Sequence, residues 1–201
     1  MNAPAPHESD SPFADMAKVF HGTTDASGPW SLWMDVYEVR IGEYAKCVAA
    51  GACRRRTTRY RWGKERGMCF STGFGDARDP MSCVDVDDAT SYCTWVGKLL
   101  PTADAWELVT RCAMLADRAA PRTVTGRLDE ERDDAPEHCV HDLPGNRWEW
   151  TSTSRRGSNL VRGGNPSLLA PELRFAANFS RFEPSHRSDT VGFRCALVER
   201  P

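Results

Sequence analysis

The sequence predicts a single α+β domain that is rich in loops and has few regular elements. Three segments show the apolar spacing of amphipathic helices, whereas the chain after Trp148 consists of short β-prone segments separated by turn residues. A length of 201 residues suffices for one compact domain with a sizeable core and is short for two. We therefore expect one domain over residues 31–201, preceded by a flexible lead over residues 1–30.

The N-terminal part predicts a lead, a strand and a helix in that order. Residues 1–30 are rich in Ala, Pro, Ser and Gly, so we expect little rigid structure before Phe20. Residues 32–39 alternate in polarity and are β-prone, which predicts a strand. Residues 41–50 have helical spacing, and Gly51 is placed to end that helix.

Two further helices follow in the middle of the chain. Residues 85–96 begin with an acidic turn, which suits a helix N-terminus, and Gly97 ends the pattern. Residues 101–112 have one apolar face, with Thr102 as the expected N-cap of a short helix.

The remaining chain predicts a charged loop and then short strands. Residues 113–137 are rich in Arg, Asp and Glu and contain Pro121, Gly126 and Pro136, which predicts a surface loop. The acidic run at 129–134 lacks the glycine of an EF-hand turn, so we expect a solvated loop there and not a cation site. Candidate strands after it cover residues 160–162, 173–177 and 191–197.

The charge balance excludes some classes of partner. The chain has 26 Lys and Arg residues against 28 Asp and Glu residues, so no overall field favours nucleic acid or an anionic membrane. No apolar run is long enough to span a membrane. The first residues lack the basic and apolar regions of a signal peptide.

The cysteine content predicts disulfides. The chain has eight cysteines and no Cys-x-x-Cys pair, which favours bridges over metal or redox chemistry. The spacing of Cys47 and Cys53 suits a small closed loop, and Cys69 and Cys83 are further candidates in irregular sequence. Bridges imply an oxidising compartment, so we expect a mature, exported protein, periplasmic or extracellular. A cytosolic protein with free thiols is the alternative.

An ordered set of motifs resembles the formylglycine-generating-enzyme (sulfatase-modifying factor) family. The resemblance extends from about Met34 to Leu197. It includes the family's Leu-Pro-Thr-Glu-Ala-Glu-Trp-Glu signature at residues 100–107, with departures at Ala103, Asp104 and Ala105. Its other main motifs are Tyr-Cys-Thr-Trp at 92–95, Gly-Asn-Arg-Trp-Glu-Trp-Thr at 145–151, Val-Arg-Gly-Gly at 161–164 and Gly-Phe-Arg-Cys-Ala at 192–196. The resemblance implies a variant C-type-lectin-like fold.

The resemblance also implies a structural calcium ion around the loop at 142–149. The implied ligands are two side chains and three backbone carbonyls, from Asp142 and Glu149 and from Leu143, Gly145 and Arg147 respectively. Calcium prefers six to eight such hard oxygens. The alternative is that Asp142 and Glu149 only cap loop amides. A second calcium site of the family is not expected, because residues 113–137 do not reproduce its loop.

The sequence His138-Cys139-Val140-His141 offers metal-ligating residue types, yet we do not expect a metal there. Alternation along an extended chain points His138 away from Cys139 and His141. A disulfide from Cys139 to Cys112 is the preferred interpretation. For Cys93 and Cys195, alignment with a bridge pair of the family implies a disulfide between them.

The resemblance fails where the family carries out its chemistry. Its oxidation of a substrate cysteine uses two thiols that bind Cu(I), and soft thiolates are the ligands Cu(I) requires. The aligned positions fall near Leu168 and Leu173, and no cysteine lies between Gly163 and Arg194. We therefore expect no copper. The three-histidine iron centre of related sulfoxide synthases also has no counterpart in this sequence.

What remains is a surface after the Gly-Gly pair. It combines arginine with polar side chains and phenylalanines, which are types that suit recognition. The predicted surface residues are Arg174, Asn178, Arg181, His186 and Arg187. The alternative is that Phe175 and Phe179 fill the core while the arginines are solvated or pair locally.

The sequence therefore predicts a catalytically silent domain that acts as a binding or accessory module. Its partner is a protein, a peptide or a small ligand. The alternative function is a metal-dependent oxidoreductase with a non-standard centre. The candidate residues for such a centre are His138, Cys139, His141 and His186.

Overall fold

A computed structural model describes residues 13, 15–25, 28–55, 59–62, 65–68, 76–116, 140, 147–164 and 179–200. Within these ranges the chain forms a mixed arrangement of helices and strands, which confirms the predicted α+β class. The helices are α1 (Ile41–Ala49), α2 (Val86–Trp95) and α3 (Ala103–Ala116). The strands are β1 (Met16–Asp25), β2 (Gly28–Asp35), β3 (Arg59–Trp62), β4 (Glu65–Met68), β5 (Trp148–Arg155), β6 (Ser158–Gly163), β7 (Phe179–Phe182), β8 (Val191–Gly192) and β9 (Ala196–Glu199).

Two sheets carry most of the described fold. The first has the strand order β1-β2-β9 and is antiparallel, so the chain returns at its C-terminal end to pair beside its N-terminal strands. The second has the order β7-β6-β5-β8, with β8 parallel to β5. Strands β3 and β4 form a separate antiparallel pair.

The first two helices lie where the sequence predicts them, because local capping fixes their ends. At the start of α2 the Asp85 carboxylate accepts a hydrogen bond from the Asp88 backbone N–H at 2.9 Å. At the start of α1 the acceptor lies inside the helix: the Glu43 carboxylate accepts a hydrogen bond from the backbone N–H of Arg40, the residue before the helix, at 2.7 Å.

The third helix starts as predicted and ends later. Thr102 accepts a hydrogen bond from the Ala105 backbone N–H at 3.1 Å through its hydroxyl, as expected for an N-cap. The helix continues to Ala116, so the prediction of a surface loop from residue 113 is wrong for its first four residues. Ala, Met and Leu at 113–116 are strong helix formers, and no breaker occurs before Pro121.

The predicted flexible lead and domain start are wrong for residues 16–25 and 28–30. Strand β1 pairs along β2, and Ala17 is 3% exposed. The Val36 backbone N–H also donates to the Asp15 carbonyl at 3.0 Å. The lead appears structureless from composition alone because its order comes from cross-strand pairing, which a local reading does not include. Strand β2 accordingly begins and ends earlier than the predicted strand at 32–39.

The strands after Trp148 agree in part with the prediction. Strand β6 contains the predicted residues 160–162. The single strand predicted at 191–197 is two strands in different sheets, because residues 193–195 leave the extended ladder between β8 and β9. Strands β5 and β7 were not predicted, and the predicted strand at 173–177 lies outside the described residues.

Among the described residues, the core forms two clusters. The larger one packs helices α1 and α2 against the β5 sheet, and it includes Tyr92 of α2 and Phe193 just after β8, whose ring centroids are 5.6 Å apart. The smaller one places Trp106 and Val109 of α3 against Met34 and Ala196 of the first sheet. In the described part of the chain, none of the helices has the length and apolar character needed to cross a bilayer.

Two predicted disulfides are present. Cys47 and Cys53 close the small loop after α1, and Cys93 joins α2 to Cys195. Cys83 is also disulfide-bonded. Three predicted participants are not described at the level of their side chains, namely Cys69, Cys112 and Cys139.

Candidate functional site

A buried ion pair lies where β5 meets the segment between β8 and β9. Arg194 donates from Nη2 to Oε1 of Glu149 at 2.7 Å and from Nε to Oε2 at 2.8 Å. Their side chains are 0% and 1% exposed. A bidentate guanidinium–carboxylate pair of this kind fixes both distance and orientation. It therefore ties together two segments that are 45 residues apart in sequence.

The same pair is connected to the rest of the core. Arg194 also donates from Nη1 to the carbonyls of Asp35 and Val36, at 3.2 and 3.1 Å. Trp106 of α3 donates from Nε1 to Oε2 of Glu149 at 2.8 Å. These contacts satisfy the charged groups away from water, which a buried pair requires. The signature segments around Glu149 and Arg194 thus form the structural centre of the fold.

The loop before β5 is where the resemblance implies calcium. Within the implied set, the structure describes Arg147 and Glu149. The other three implied ligands lie outside the described residues: Asp142, Leu143 and Gly145. The Arg147 carbonyl accepts a hydrogen bond from Gly164 at 2.9 Å, and both Glu149 oxygens accept from Arg194. A guanidinium on both oxygens repels a divalent cation at those atoms, so the Glu149 side chain as placed does not fit a calcium ligand.

The Gly-Gly pair ends β6 in a conformation that favours glycine. Gly163 and Gly164 have φ values of 88° and 90°. A Cβ atom on Gly164 would lie 2.5 Å from Cε2 of Trp148, closer than any real contact. The glycines therefore let the chain pass against the Trp148 ring, and this fixes the direction in which it leaves β6.

Next to the glycines lies a surface of four residues on α3, β6 and β7. Arg162 and Phe179 are direct partners in the β6–β7 pairing, so they share one face of the sheet. The Arg162 guanidinium is 5.8 Å from the Phe179 ring centroid, and its Nη2 donates to the Glu107 carboxylate at 2.9 Å. Arg181 lies two residues along β7 and is exposed. We call Glu107, Arg162, Phe179 and Arg181 the β7 surface.

The members of the β7 surface differ in exposure. Phe179 is 50% exposed, which corrects the alternative that it fills the core. The Arg162 side chain is 10% exposed, and its Nε is buried without a hydrogen-bond partner among the described residues. The accessible part of this surface is therefore the Phe179 ring and the Arg181 side chain.

The described members of the predicted binding surface have different roles. Arg174 and Asn178 lie outside the described residues, and Arg181 belongs to the β7 surface. Arg187 is a structural residue, because its guanidinium is bound by two carboxylates. Its Nη2 lies 2.6 Å from Asp85 and its Nη1 lies 2.6 Å from Asp88.

Arg54 binds the same two carboxylates from the other side. It contacts Asp85 at 2.9 Å and Asp88 at 2.7 Å. Burial, offset in part by Arg187, raises the pKa of Asp88. The four side chains close a ring that holds the loop after α1 and the segment after β7 to the start of α2. Arg187 is therefore engaged within the fold and does not extend to a partner.

His186 packs against aromatic rings. Its ring stacks on Phe182 with centroids 4.2 Å apart and meets the edge of Trp150 at 6.5 Å. Burial lowers the pKa of His186, which favours the neutral imidazole at pH 7. The other residues of the alternative redox centre lie outside the described residues: His138, Cys139 and His141.

The positions aligned with the family's catalytic thiols, Leu168 and Leu173, also lie outside the described residues. The sequence itself decides the chemistry available there, since it contains no cysteine between Cys139 and Cys195. No local rearrangement within residues 163–194 can supply a thiol pair from that segment.

Sequence reasoning missed Glu107 and Arg162 as members of the site. Arg162 follows two apolar residues, Leu160 and Val161, and is the penultimate residue of a strand whose residues from 159 onward are all buried. A charged residue within a buried strand indicates a specific partner, because burial of an unpaired charge is expensive. The arginine after two apolar residues is visible in the sequence. Its partner, Glu107, can be identified only from the structure, because α3 packs on the sheet.

Comparison with known proteins agrees with these observations. A family model for the sulfatase-modifying factor enzyme 1-like domain matches residues 29–132 and 130–198. A formylglycine-generating enzyme from Mycobacterium tuberculosis is 28% identical over 81% of this chain and 74% of its own length. An inactive C-alpha-formylglycine-generating enzyme 2 from Bos taurus is 27% identical over 58% of this chain. The chain spans 50% of the length of that bovine relative.

The fold is shared with solved structures. PvdO from Pseudomonas aeruginosa superposes with a TM-score of 0.56 at 20% identity, over 90% of this chain and 93% of that one. At that identity the likeness establishes the fold alone, which is the predicted variant C-type-lectin-like fold.

Proposed function

The chain belongs to the sulfatase-modifying factor enzyme 1-like domain family, and we propose that it acts as a catalytically silent binding or accessory domain of that family. The absence of cysteine between Cys139 and Cys195 carries the proposal. A Cu(I) centre needs soft thiolate ligands, and leucine side chains cannot replace them. The bovine relative described as inactive supports the view that the fold persists without the chemistry.

The binding role rests on the β7 surface. It presents a half-exposed ring at Phe179 and an exposed cation at Arg181, with the Arg162 guanidinium beneath the ring. Aromatic and arginine side chains are the types that dominate binding energy at protein interfaces. A protein or peptide segment with a carboxylate next to an apolar side chain matches this arrangement. The carboxylate would pair with the exposed Arg181, and the apolar group would cover Phe179.

Replacing both Phe179 and Arg181 with alanine is expected to weaken partner binding by at least about tenfold, the loss typical of an anchor pair. The measurement is quantitative affinity capture from the source organism with the immobilised chain. Arg155→Ala is the matched control, because Arg155 is an exposed arginine at the end of β5 in the same sheet. Equal recovery of bound protein by the double variant and the control would remove the β7 surface from the proposal.

Calcium remains part of the proposal in a reduced form. Asp142 and the carbonyls of Leu143, Gly145 and Arg147 are the ligands retained, with Glu149 assigned to Arg194 instead. Calcium at one hundred times its dissociation constant is then expected to raise the unfolding midpoint by about 5 to 10 °C, because the ion binds only the folded state. Differential scanning fluorimetry with calcium, magnesium or chelator measures this. An unchanged midpoint in calcium and chelator contradicts the calcium site.

The disulfides support an oxidising location. The bridges Cys47–Cys53 and Cys93–Cys195 and the bonded Cys83 are features of exported proteins. We propose a periplasmic or extracellular site of action.

A further inference from the structure

A separate cleft lies between the end of β2, the first turn of α1 and the C-terminal end of α2. Its volume is about 330 Å³, at the lower end of the range in which proteins hold small ligands. Among the described residues that line it, none comes from β5, β6 or β7. The cleft is therefore distinct from the β7 surface.

An ion pair next to the Cys93–Cys195 disulfide lines one side of the cleft. The Lys98 ammonium lies 2.6 Å from the Asp35 carboxylate, and each side chain is 14% exposed. The second Asp35 oxygen accepts the Cys195 backbone N–H at 2.9 Å, and the Lys98 backbone N–H donates to the Cys93 carbonyl at 2.7 Å. The bridge between the two cysteines thus fixes both members of the pair. The charge of Lys98 is neutralised by Asp35.

Beyond that pair, the charged side chains of the lining are mainly anionic. Among the described residues they are three carboxylates and one cation, namely Asp15, Glu38, Glu43 and Arg40. Asp15 and Glu43 are exposed. The Arg40 guanidinium lies over Tyr37, 5.1 Å from the ring centroid. Carboxylates that line a concave surface concentrate a negative potential within it.

The phenol of Tyr92 also lines the cleft and responds to that potential. Burial raises the pKa of Tyr92, and the charges of Glu43 and Asp35 raise it further. The Tyr37 ring, which carries the Arg40 guanidinium, and the 6% of Tyr92 that is exposed give the cleft its aromatic surface. Aromatic rings attract cations through the ring quadrupole. A negative potential and aromatic surface are together suited to an organic cation. A bare metal ion would leave the aromatic surface unused.

We propose that this cleft binds a small organic cation, with a primary ammonium or guanidinium group on a short aliphatic stem. The cationic group pairs with the carboxylates of Asp15 and Glu43, and the stem packs against the tyrosines. The volume accommodates a small molecule or a single lysine-like or arginine-like side chain, and not a folded partner.

Isothermal titration with n-butylguanidinium and n-butylammonium tests the proposal, with butyrate and calcium as comparison ligands. We expect the alkyl cations to bind with a dissociation constant below about 1 mM and to weaken as salt rises from about 50 to 300 mM. Butyrate is expected not to bind. Asp15→Asn and Glu43→Gln are each expected to weaken the alkyl cations about threefold or more, because each removes one charge and keeps the side-chain shape.

The matched control is Asp104→Asn, which neutralises an exposed carboxylate on α3 outside the cleft. Unfolding midpoints of all three variants verify that each is folded, and each change is conservative at an exposed position. Three results overturn the proposal. The first is no binding of either alkyl cation at about 10 mM. The second is calcium binding that D15N and E43Q abolish and that the alkyl cations do not compete with. The third is equal binding of the alkyl cations by the cleft variants and the control.

Discussion

Replacing Glu149 with glutamine is expected to lower the free energy of unfolding by about 3 to 5 kcal/mol, because Arg194 stays buried without its counter-charge. The pair is 0% and 1% exposed, so water cannot replace the lost carboxylate. Glutamine has nearly the same shape and keeps one acceptor oxygen, which excludes a cavity as the cause. Urea unfolding followed by tryptophan fluorescence gives the free energy directly.

Glu107→Gln is the matched control for this experiment. Glu107 also pairs with an arginine, Arg162, at 2.9 Å, but its side chain is 37% exposed. Partial exposure limits the expected cost to about 1 kcal/mol. If Glu149→Gln costs no more than Glu107→Gln, the Glu149–Arg194 pair is not the structural centre that we describe.

Removing the Cys93–Cys195 bridge by a double substitution to alanine is expected to lower the free energy of unfolding by about 4 to 5 kcal/mol. The bridge closes a loop with a sequence separation of 102, so its loss frees much of the unfolded chain. It also loosens the Asp35–Lys98 pair, since both residues bond to the backbone at these cysteines. Urea unfolding without reductant measures the loss.

The Cys47–Cys53 bridge is the control for loop length. Its sequence separation is 6, and the same entropy relation gives about 2 kcal/mol for its removal. The cysteines of both bridges are buried, so the cavities left by alanine are comparable. Equal losses from the two double variants would show that Cys93–Cys195 does not act by constraining the chain.

The helices were predictable because their signals are local. Asp85 caps α2 through an N–H only three residues away, and Gly97 ends that helix with a φ of 74°. Thr102 caps α3 in the same way. Both partners of such a contact lie within one or two helical turns, so they can be recognised in a short stretch of sequence.

The sheets were less predictable because their partners are distant in sequence. Strand β1 is ordered by β2, and β2 pairs on its other edge with β9, where Trp33 lies opposite Leu197. The single strand predicted at the C-terminus divides because β8 pairs with β5, whereas β9 pairs with β2. Periodicity identifies a β-prone segment, but it does not identify the sheet to which each half belongs.

At the candidate site, too, the local motifs were predictable and the contacts between distant segments were not. The motifs around Glu149 and Arg194 were identified from sequence, and so was the missing thiol pair. Their ion pair was not predicted, since a carboxylate in the Trp-Glu-Trp motif is equally compatible with a calcium ligand. Only the packing of the two segments shows that Arg194 occupies both oxygens of Glu149.

The central proposal is that this chain keeps the family fold and lacks the copper–thiolate centre. Titration of the oxidised protein with Cu(I) against a chelator, followed by oxygen uptake with a cysteine-containing peptide, tests it most directly. The Mycobacterium tuberculosis relative provides the comparison in parallel. We predict that the chain retains no Cu(I) against the chelator and consumes no oxygen above background. One Cu(I) held per chain, or turnover of the peptide, would contradict the account.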